Sequence, residues 1–503
     1  MMLSLKGWRT DKLKTALTIC WLATVFFSFL GNTIVLMHIP GIGVMYPFRL
    51  LLPATAVMYG IWAIREKQNP WKNADLLQRL CYVFCVILII YSGFSLRLAM
   101  DFGISLKSWV NLCMDLCFFF LALELCKDRR IFHTTAVVVA VSAVILAIMG
   151  IYESFCGGIF HDRFDSLRYI PFFYAKVQNP VVTTANPNNF STMLVFMLAV
   201  VLLDSVWQGR EKKNHWLPAF LVASVYFLLG AAQARLCVVA FLALLVAFLV
   251  CVPMLGKKKC WLVVIILLLL GTLKLGFDST WTRPQETLQV HSEAVQSALP
   301  VTVEQTHEPY ELVLLSANDV AQEHVVFLSN TSDQQTLYKT SGNSFKDEFF
   351  TKDEETGEYA LNTTRSAGIR LTLLLGAFDC FIESKGMGVG LRNTEQIVLI
   401  GDDQWGIHCF LARMTADLGI FFLIPFLLIA IALLRACFVH MGRCIRRRDK
   451  AGAAMWLLYL AALGSYPIAS TAPSDAQDIL AMWLFLAWIV CFPMHAVKTE
   501  EIS

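Results

Sequence analysis

Twelve apolar runs, each near the length of a membrane-crossing helix, dominate this chain. A bilayer core calls for about 20 predominantly apolar residues per helix. Runs of that kind lie at 15–37, 43–64, 80–98, 109–126, 131–153, 189–207, 217–233, 236–256, 261–276, 408–434, 452–471 and 478–496. The first is too long for a signal-peptide core and no small-residue cleavage pattern follows it, so it reads as a retained helix. Charged residues make up 16% of the chain, against about 25% in an ordinary soluble protein. A soluble chain of this length divides into domains with polar coats, and there is too little charge here to coat them. Composition therefore argues against a soluble multidomain enzyme, a disordered chain and a fibrous protein.

The net charge of +3 says less than where the charges fall. Lys6, Arg9, Lys12 and Lys14 precede the first run. Arg65, Lys67, Lys72 and Arg79 follow the second, and Lys127, Arg129 and Arg130 the fourth. Arg210, Lys212 and Lys213 follow the sixth, and Lys257, Lys258 and Lys259 the eighth. Arg443, Arg446, Arg447, Arg448 and Lys450 follow the tenth. Basic short loops lie in the cytoplasm, so the alternation fits twelve spans with both termini cytoplasmic. The expected fold is an all-α polytopic membrane protein of about twelve transmembrane helices. Helices 1–9 fill residues 1–276, an exterior loop subdomain fills 277–407, and helices 10–12 fill 408–503.

The same alternation places 154–188, the turn at Arg235 and 277–407 outside. Between 277 and 369 there are fifteen acidic and five basic residues, a balance that translocated loops tolerate. β-like runs at Tyr310–Ser316 and Val325–Ser329, with a turn signal at Ser341-Gly342-Asn343, point to a small exterior subdomain. The fifteen cysteines sit mostly in apolar runs, as Cys81, Cys85, Cys237 and Cys491 do, and none lies in 277–369. Buried cysteine behaves as a small hydrophobe. With no CxxC pair, neither a disulfide scaffold nor a zinc or redox motif has support.

Ionisable residues in or beside membrane helices are costly and so are functional candidates by default. On the outer half they are Arg49, Arg97, Arg163, Arg168, Lys176, Arg235, Arg370 and His408. Arginines facing outward need an anionic partner, either acidic side chains or a substrate. The planar fork of arginine suits phosphate oxygens. Snorkelling to headgroups is the competing reading for Arg49 and Arg97, and an ordinary loop role for Arg163 and Arg168. Arg235 is harder to dismiss, because it interrupts a nearly continuous apolar stretch from Leu217 to Leu255.

Four motifs follow in order. Asn186-Pro187-Asn188-Asn189-Phe190 opens the sixth span, and Gln233-Ala234-Arg235 opens the eighth. Arg370 begins an apolar segment leading to Gly388-Val389-Gly390. His408 opens the tenth span, followed by Asp417-Leu418-Gly419. This order resembles the O-antigen ligase and polymerase superfamily of bacterial membrane glycosyltransferases, over roughly residues 180–435. The chain departs from that pattern at Cys409, where the family usually has Asn, and at Asp417, where Glu is common. Ala234 and Leu236 stand where Ser and Gly are usual, and Lys385-Gly386 replaces a Pro-containing approach to Gly388.

The resemblance implies a glycan donor linked through diphosphate to a polyprenol, and transfer to an acceptor hydroxyl at the outer face of the bacterial plasma membrane. It implies no cofactor and no metal. The partners would be that donor, a glycan, lipid or protein acceptor, and membrane lipids, with no nucleic acid. Arg235 and Arg370 match the family's arginines and would stabilise the leaving diphosphate. His408 matches its histidine and would act as general base. Arg49 and Arg97 are substrate-binding candidates by placement alone. Asn186 and Asn188, with Asn189, either bond sugar hydroxyls or, for Asn186, cap the sixth span ahead of Pro187.

Leu371–Ile382 is too short to span and reads as a half-buried interfacial helix. Asp402 and Asp403 either orient His408 or are solvated turn residues. Tyr169, Phe172, Phe173 and Tyr174 read as an interfacial aromatic belt or as sugar platforms. His291, His307 and His324 are too scattered for a metal site. Ligase and polymerase both remain open. A twelve-helix transporter is the rival from another class, although no repeated halves or broken helices are visible in the sequence. A glycosyltransferase group with a large first exterior loop is disfavoured by the five-residue turn His38–Ile42.

Overall fold

The computed structural model describes residues 12–31, 36–39, 43–156, 168–170, 175–177, 180–184, 186–209, 216–232, 234–251, 310–314, 325–329, 350–352, 359–361, 366–400, 403–404, 406–473 and 479–502. Helices dominate them: α1 (Lys12–Leu30), α2 (Pro47–Arg65), α3 (Leu76–Ser95), α4 (Phe102–Leu125), α5 (Arg129–Cys156), α6 (Pro187–Gly209), α7 (Trp216–Ala232), α8 (Arg235–Cys251), α9 (Ser366–Glu383), α10 (Phe410–Leu418), α11 (Ile420–Arg446), α12 (Lys450–Ala469) and α13 (Leu480–Ile502). Among the described residues eight helices are long and apolar enough to cross a bilayer, namely α1 to α6, α11 and α12. The apolar stretches of α7, α8 and α13 are shorter. The chain is a helical, membrane-embedded protein. The expected ninth span, 261–276, lies outside the described residues.

Backbone polar groups in lipid must be satisfied within the segment, so long apolar runs become helices. Local signals set where they start. Asp75 and Gln78 form a reciprocal capping box on α3, with Gln78 N donating to Asp75 Oδ1 at 2.8 Å. Pro47 opens α2, where its missing N–H costs nothing. Asp449 caps α12 through Gly452 N at 2.9 Å.

The inner helix is α6, with 94% of its spanning window buried, whereas α2 and α11 are at 22%. Ile424, Leu427, Leu428 and Ile431 leave an exposed apolar stripe on α11, the surface a bilayer covers. Lipid removes the hydrophobic drive between helices, so close packing and interhelical hydrogen bonds hold them instead. Gly150 of α5 shows the closeness, since a Cβ there would stand 2.9 Å from Leu228 of α7. Trp21 Nε1 of α1 donates to Thr135 Oγ1 of α5 at 3.0 Å, a kind of bond worth about 0.6 kcal/mol on average.

The two ends of the bundle differ. At one end Lys14 reaches Asp128 at 2.8 Å, and Glu124 accepts from Tyr59, Tyr82 and Lys127. His495 lies 2.8 Å from the Cys126 carbonyl, and His133 is 3.2 Å from Asp204. These contacts gather the start of α1, the α2–α3 and α4–α5 turns and the ends of α6 and α13. Among the described residues, the basic segments at the start of α1, between α2 and α3 and between α4 and α5 therefore share one end in space. At the other end Ser105 donates to Leu391 O at 3.0 Å, Asn393 to Leu98 O at 2.7 Å and Thr192 to Ala469 O at 3.1 Å.

The described strands are short antiparallel hairpins in the connections: β1 (Met37–Ile39) with β2 (Gly43–Met45), β3 (Arg168–Ile170) with β4 (Ala175–Val177), β5 (Tyr310–Leu314) with β6 (Val325–Ser329), β7 (Phe350–Lys352) with β8 (Tyr359–Leu361), and β9 (Leu399–Ile400) with β10 (Asp403–Gln404). The two β-like runs read in the acidic segment are β5 and β6, paired from Tyr310 opposite Ser329 to Leu314 opposite Val325. The turn signal at 341–343 falls outside the described residues.

The tenth expected span needs correction. A single helix over 408–434 is not what forms. The chain breaks at Gly419 (φ +59°), and the long helix α11 runs on to Arg446. A Cβ at Gly419 would lie 2.2 Å from the Gly386 carbonyl oxygen, so only glycine permits the approach and the left-handed backbone. The break is invisible to hydropathy because the residues after it stay apolar.

Candidate active site

Five elements converge at the end of the bundle opposite the basic turns. Thr192, in the second turn of α6, sits 3.4 Å from Cys237 of α8 and donates to Ala469 at the end of α12. Phe410 N, opening α10, donates to Ser470 O at 3.1 Å. His408 just before it meets the backbone carbonyls of Ala472 and Pro473. Arg370 of α9 lies within electrostatic reach of Cys237, Arg235 and His408. Arg235, Arg370 and His408, far apart in sequence, are thus brought together.

Helix α9 begins at Ser366, a turn before the apolar segment read from the sequence, and is half-buried. Leu373, Ala377 and Cys380 pack against Val398, Ile407 and Ala416, while Leu374, Leu375, Phe378 and Ile382 stay exposed. Gly376 allows the fit, since a Cβ there would come within 2.5 Å of Val398. This docking carries Arg370 into the cluster.

Arg370 is the electrostatic anomaly. Its Nε is buried without a hydrogen-bond partner, and no carboxylate among the described residues pairs with it. Burial lowers its pKa; Cys237 works against that, and the like charge of Arg235 adds to it. A guanidinium nevertheless stays protonated, so the positive charge is retained. His408 Nδ1 and Asn189 Oδ1 of α6 are also buried without a partner. Burial pushes the His408 pKa down to about 4, Arg370 pushes the same way, and the two carbonyls oppose it. The imidazole is therefore neutral near pH 7.

The other candidate residues are placed differently. Arg235 is exposed at the first position of α8. Asn186 caps α6, its Oδ1 accepting from Asn188 N at 2.8 Å, and Asn188 is half-buried beside it. Arg49 stands over the Tyr46 ring and 3.5 Å from Asn111 Oδ1. Arg97 is exposed over Phe94. Among the described residues no contact joins Arg49 or Arg97 to Arg235, Arg370 or His408. Arg168, Tyr169 and Lys176 lie in β3 and β4 and Asp403 in β10. Arg163, Phe172, Phe173, Tyr174, Gln233, His291, His307, His324 and Asp402 fall outside the described residues.

Beside the cluster lies a charged lock that sequence reading did not single out. Arg413 and Asp417, 1% and 0% exposed, sit one turn apart on α10 with Nε and Oδ2 3.8 Å apart. Arg413 also pairs with Glu395 at 3.0 Å, and Glu395 with Arg392 at 2.6 Å. Asp417 accepts from the Arg392 and Thr394 amides and from the Thr394 hydroxyl. The Gly388-Val389-Gly390 turn is stitched to the same place, Val389 N and Gly390 N donating to Ala416 O and Asp417 O at 2.9 Å each. Gly388 (φ +85°) leaves no room for a Cβ, which would lie 2.5 Å from Asp417 O. The two glycine motifs are thus two halves of one joint. The four-residue spacing of Arg413 and Asp417 on an apolar helix was the available signal for a buried pair. Comparison of the chain with protein-family models and with curated proteins gives no match.

Proposed function

We propose that this chain is a membrane glycosyltransferase of the O-antigen ligase type. It moves a polyprenyl-diphosphate-linked glycan onto an acceptor hydroxyl at the outer face of a bacterial plasma membrane, without a metal or cofactor. Twelve spans with both termini cytoplasmic belong to this reading, and the gathering of the first three basic segments, at α1, α2–α3 and α4–α5, at the end away from the site supports them. The observation that carries the reading is Arg370: a half-buried cation with a buried, unpartnered Nε and no carboxylate partner among the described residues, beside a second arginine and a neutral histidine.

In the reaction the acceptor oxygen attacks the anomeric carbon as the bond from that carbon to the diphosphate oxygen breaks. The bonding electrons leave with the diphosphate, whose growing charge Arg370 and Arg235 offset. His408 Nδ1 takes the acceptor proton.

Deleting the gene and analysing lipid-linked glycans tests the assignment. Long lipid-linked chains should accumulate. Accumulated single repeat units would instead mean a polymerase, and altered solute uptake with normal surface glycans a transporter.

The pH profile tests His408. Because kcat/KM reports the free enzyme and His408 protonates only near pH 4, kcat/KM should hold level between about pH 7 and 5. The acid limb of kcat should lie higher, since a bound diphosphate favours imidazolium. A kcat/KM limb centred near the ordinary histidine value of about 6.5 would remove His408 as the base.

A further inference from the structure

A cavity of about 260 Å³ opens among the basic turns, at the end away from the candidate active site. Lys14 of α1, Trp62 of α2, Gln68 of the α2–α3 turn, and Glu124, Lys127 and Asp128 around the α4–α5 turn line it. Its carboxylates are already engaged. Glu124 accepts from two tyrosines and Lys127. Asp128 accepts from Lys14 and from the Arg130 amide, both at 2.8 Å. Burial would raise the Asp128 pKa, but these partners hold it below the usual carboxylate range. The donors are not used up. Trp62 Nε1 is buried with no hydrogen-bond partner, and the Lys127 ammonium, with three hydrogens to give, makes one described bond. Spare donors beside satisfied carboxylates call for an acceptor from outside the chain.

We propose that this cavity binds the phosphate of a phospholipid headgroup. The apolar part of its wall, Leu17, Leu125 and Ile131, suits the glycerol end of a lipid better than a free ion. Arg79 over Trp71 at 5.7 Å and Lys127 over Tyr82 at 5.5 Å stand at the same end. Mixed aromatic and basic residues of this kind mark the membrane–water boundary, where headgroup phosphates lie.

The test is native mass spectrometry of the full chain in mild detergent, titrated with phosphatidylglycerol. One lipid should bind the wild type. Trp62→Phe, which keeps the ring and removes the N–H, should weaken binding about tenfold or more, the worth of a hydrogen bond to a charged group. Gln68→Trp, placed in an exposed turn, should fill the cavity and expel the lipid. Inorganic phosphate should neither displace the lipid nor raise the melting temperature. Unchanged lipid binding in both variants would overturn the proposal, and so would stabilisation by inorganic phosphate equal to that by the lipid. Neither measurement depends on glycan transfer.

Discussion

Arg370→Ala is expected to lower the rate of glycan transfer by roughly 10²–10³-fold or more while the protein stays folded in the membrane. The magnitude is that of removing one preorganised donor to a developing oxyanion. Retained folding follows from the surroundings of Arg370, which offer no carboxylate among the described residues and leave Nε without a partner. Burying a cation under those conditions destabilises the protein, so its removal should leave the melting temperature unchanged or raise it. Arg370→Lys should recover only part of the rate, because an ammonium keeps the charge without the fork. Arg235→Ala should behave like Arg370→Ala. The measurement is glycan transfer by purified variants alongside their melting temperatures in detergent. Full transfer by both alanine variants would sink the diphosphate site.

Asp417→Ala should do the opposite, damaging the fold first. Asp417 is fully buried, takes three hydrogen bonds and stands beside a buried Arg413. Breaking a buried pair on one side costs up to about 3–5 kcal/mol when charge is left uncompensated, and here Glu395 alone would be left to balance both Arg392 and Arg413. Abundance in the membrane and melting temperature should both fall. Arg413→Met added to Asp417→Ala should recover part of the loss, since Glu395 then has only Arg392 to balance. A double variant no more stable than the single one would show that the backbone bonds from Arg392 and Thr394, rather than the ion pair, set the effect.

The contrast between these residues explains what could be read from the sequence. Spanning helices were legible because lipid leaves a long apolar run little alternative to a helix. The half-buried Leu371–Ile382 helix was legible for a related reason, being apolar yet too short to cross. The helix break was not, because Gly419 lies inside an apolar run and its reason, contact with Gly386 and Met387, is tertiary. The motifs marked Arg235, Arg370 and His408 singly, but their convergence depends on α9 docking beside α8 and α10. Arg49 and Arg97 stayed secondary candidates by placement alone, since depth in a helix says nothing about which way across the bundle it faces. The Arg413–Glu395–Arg392 lock went unread because Arg392 and Glu395, in the turn after Gly390, look like ordinary solvated charge and nothing local ties them to Arg413 of α10.

The joint between the Gly388 turn and Gly419 also bears on the timing of synthesis. Arg235 and the start of α6 leave the ribosome well before Arg370, which is roughly 10–30 s later at ordinary elongation rates. The joint closes only after Gly419 has followed, and α12, which packs along α8, comes later still. A nascent chain therefore holds an arginine and an asparagine-capped helix start, but no opposing half. Whatever anion the finished cluster takes, the growing chain has no enclosed place to hold it until nearly all of the protein has been made.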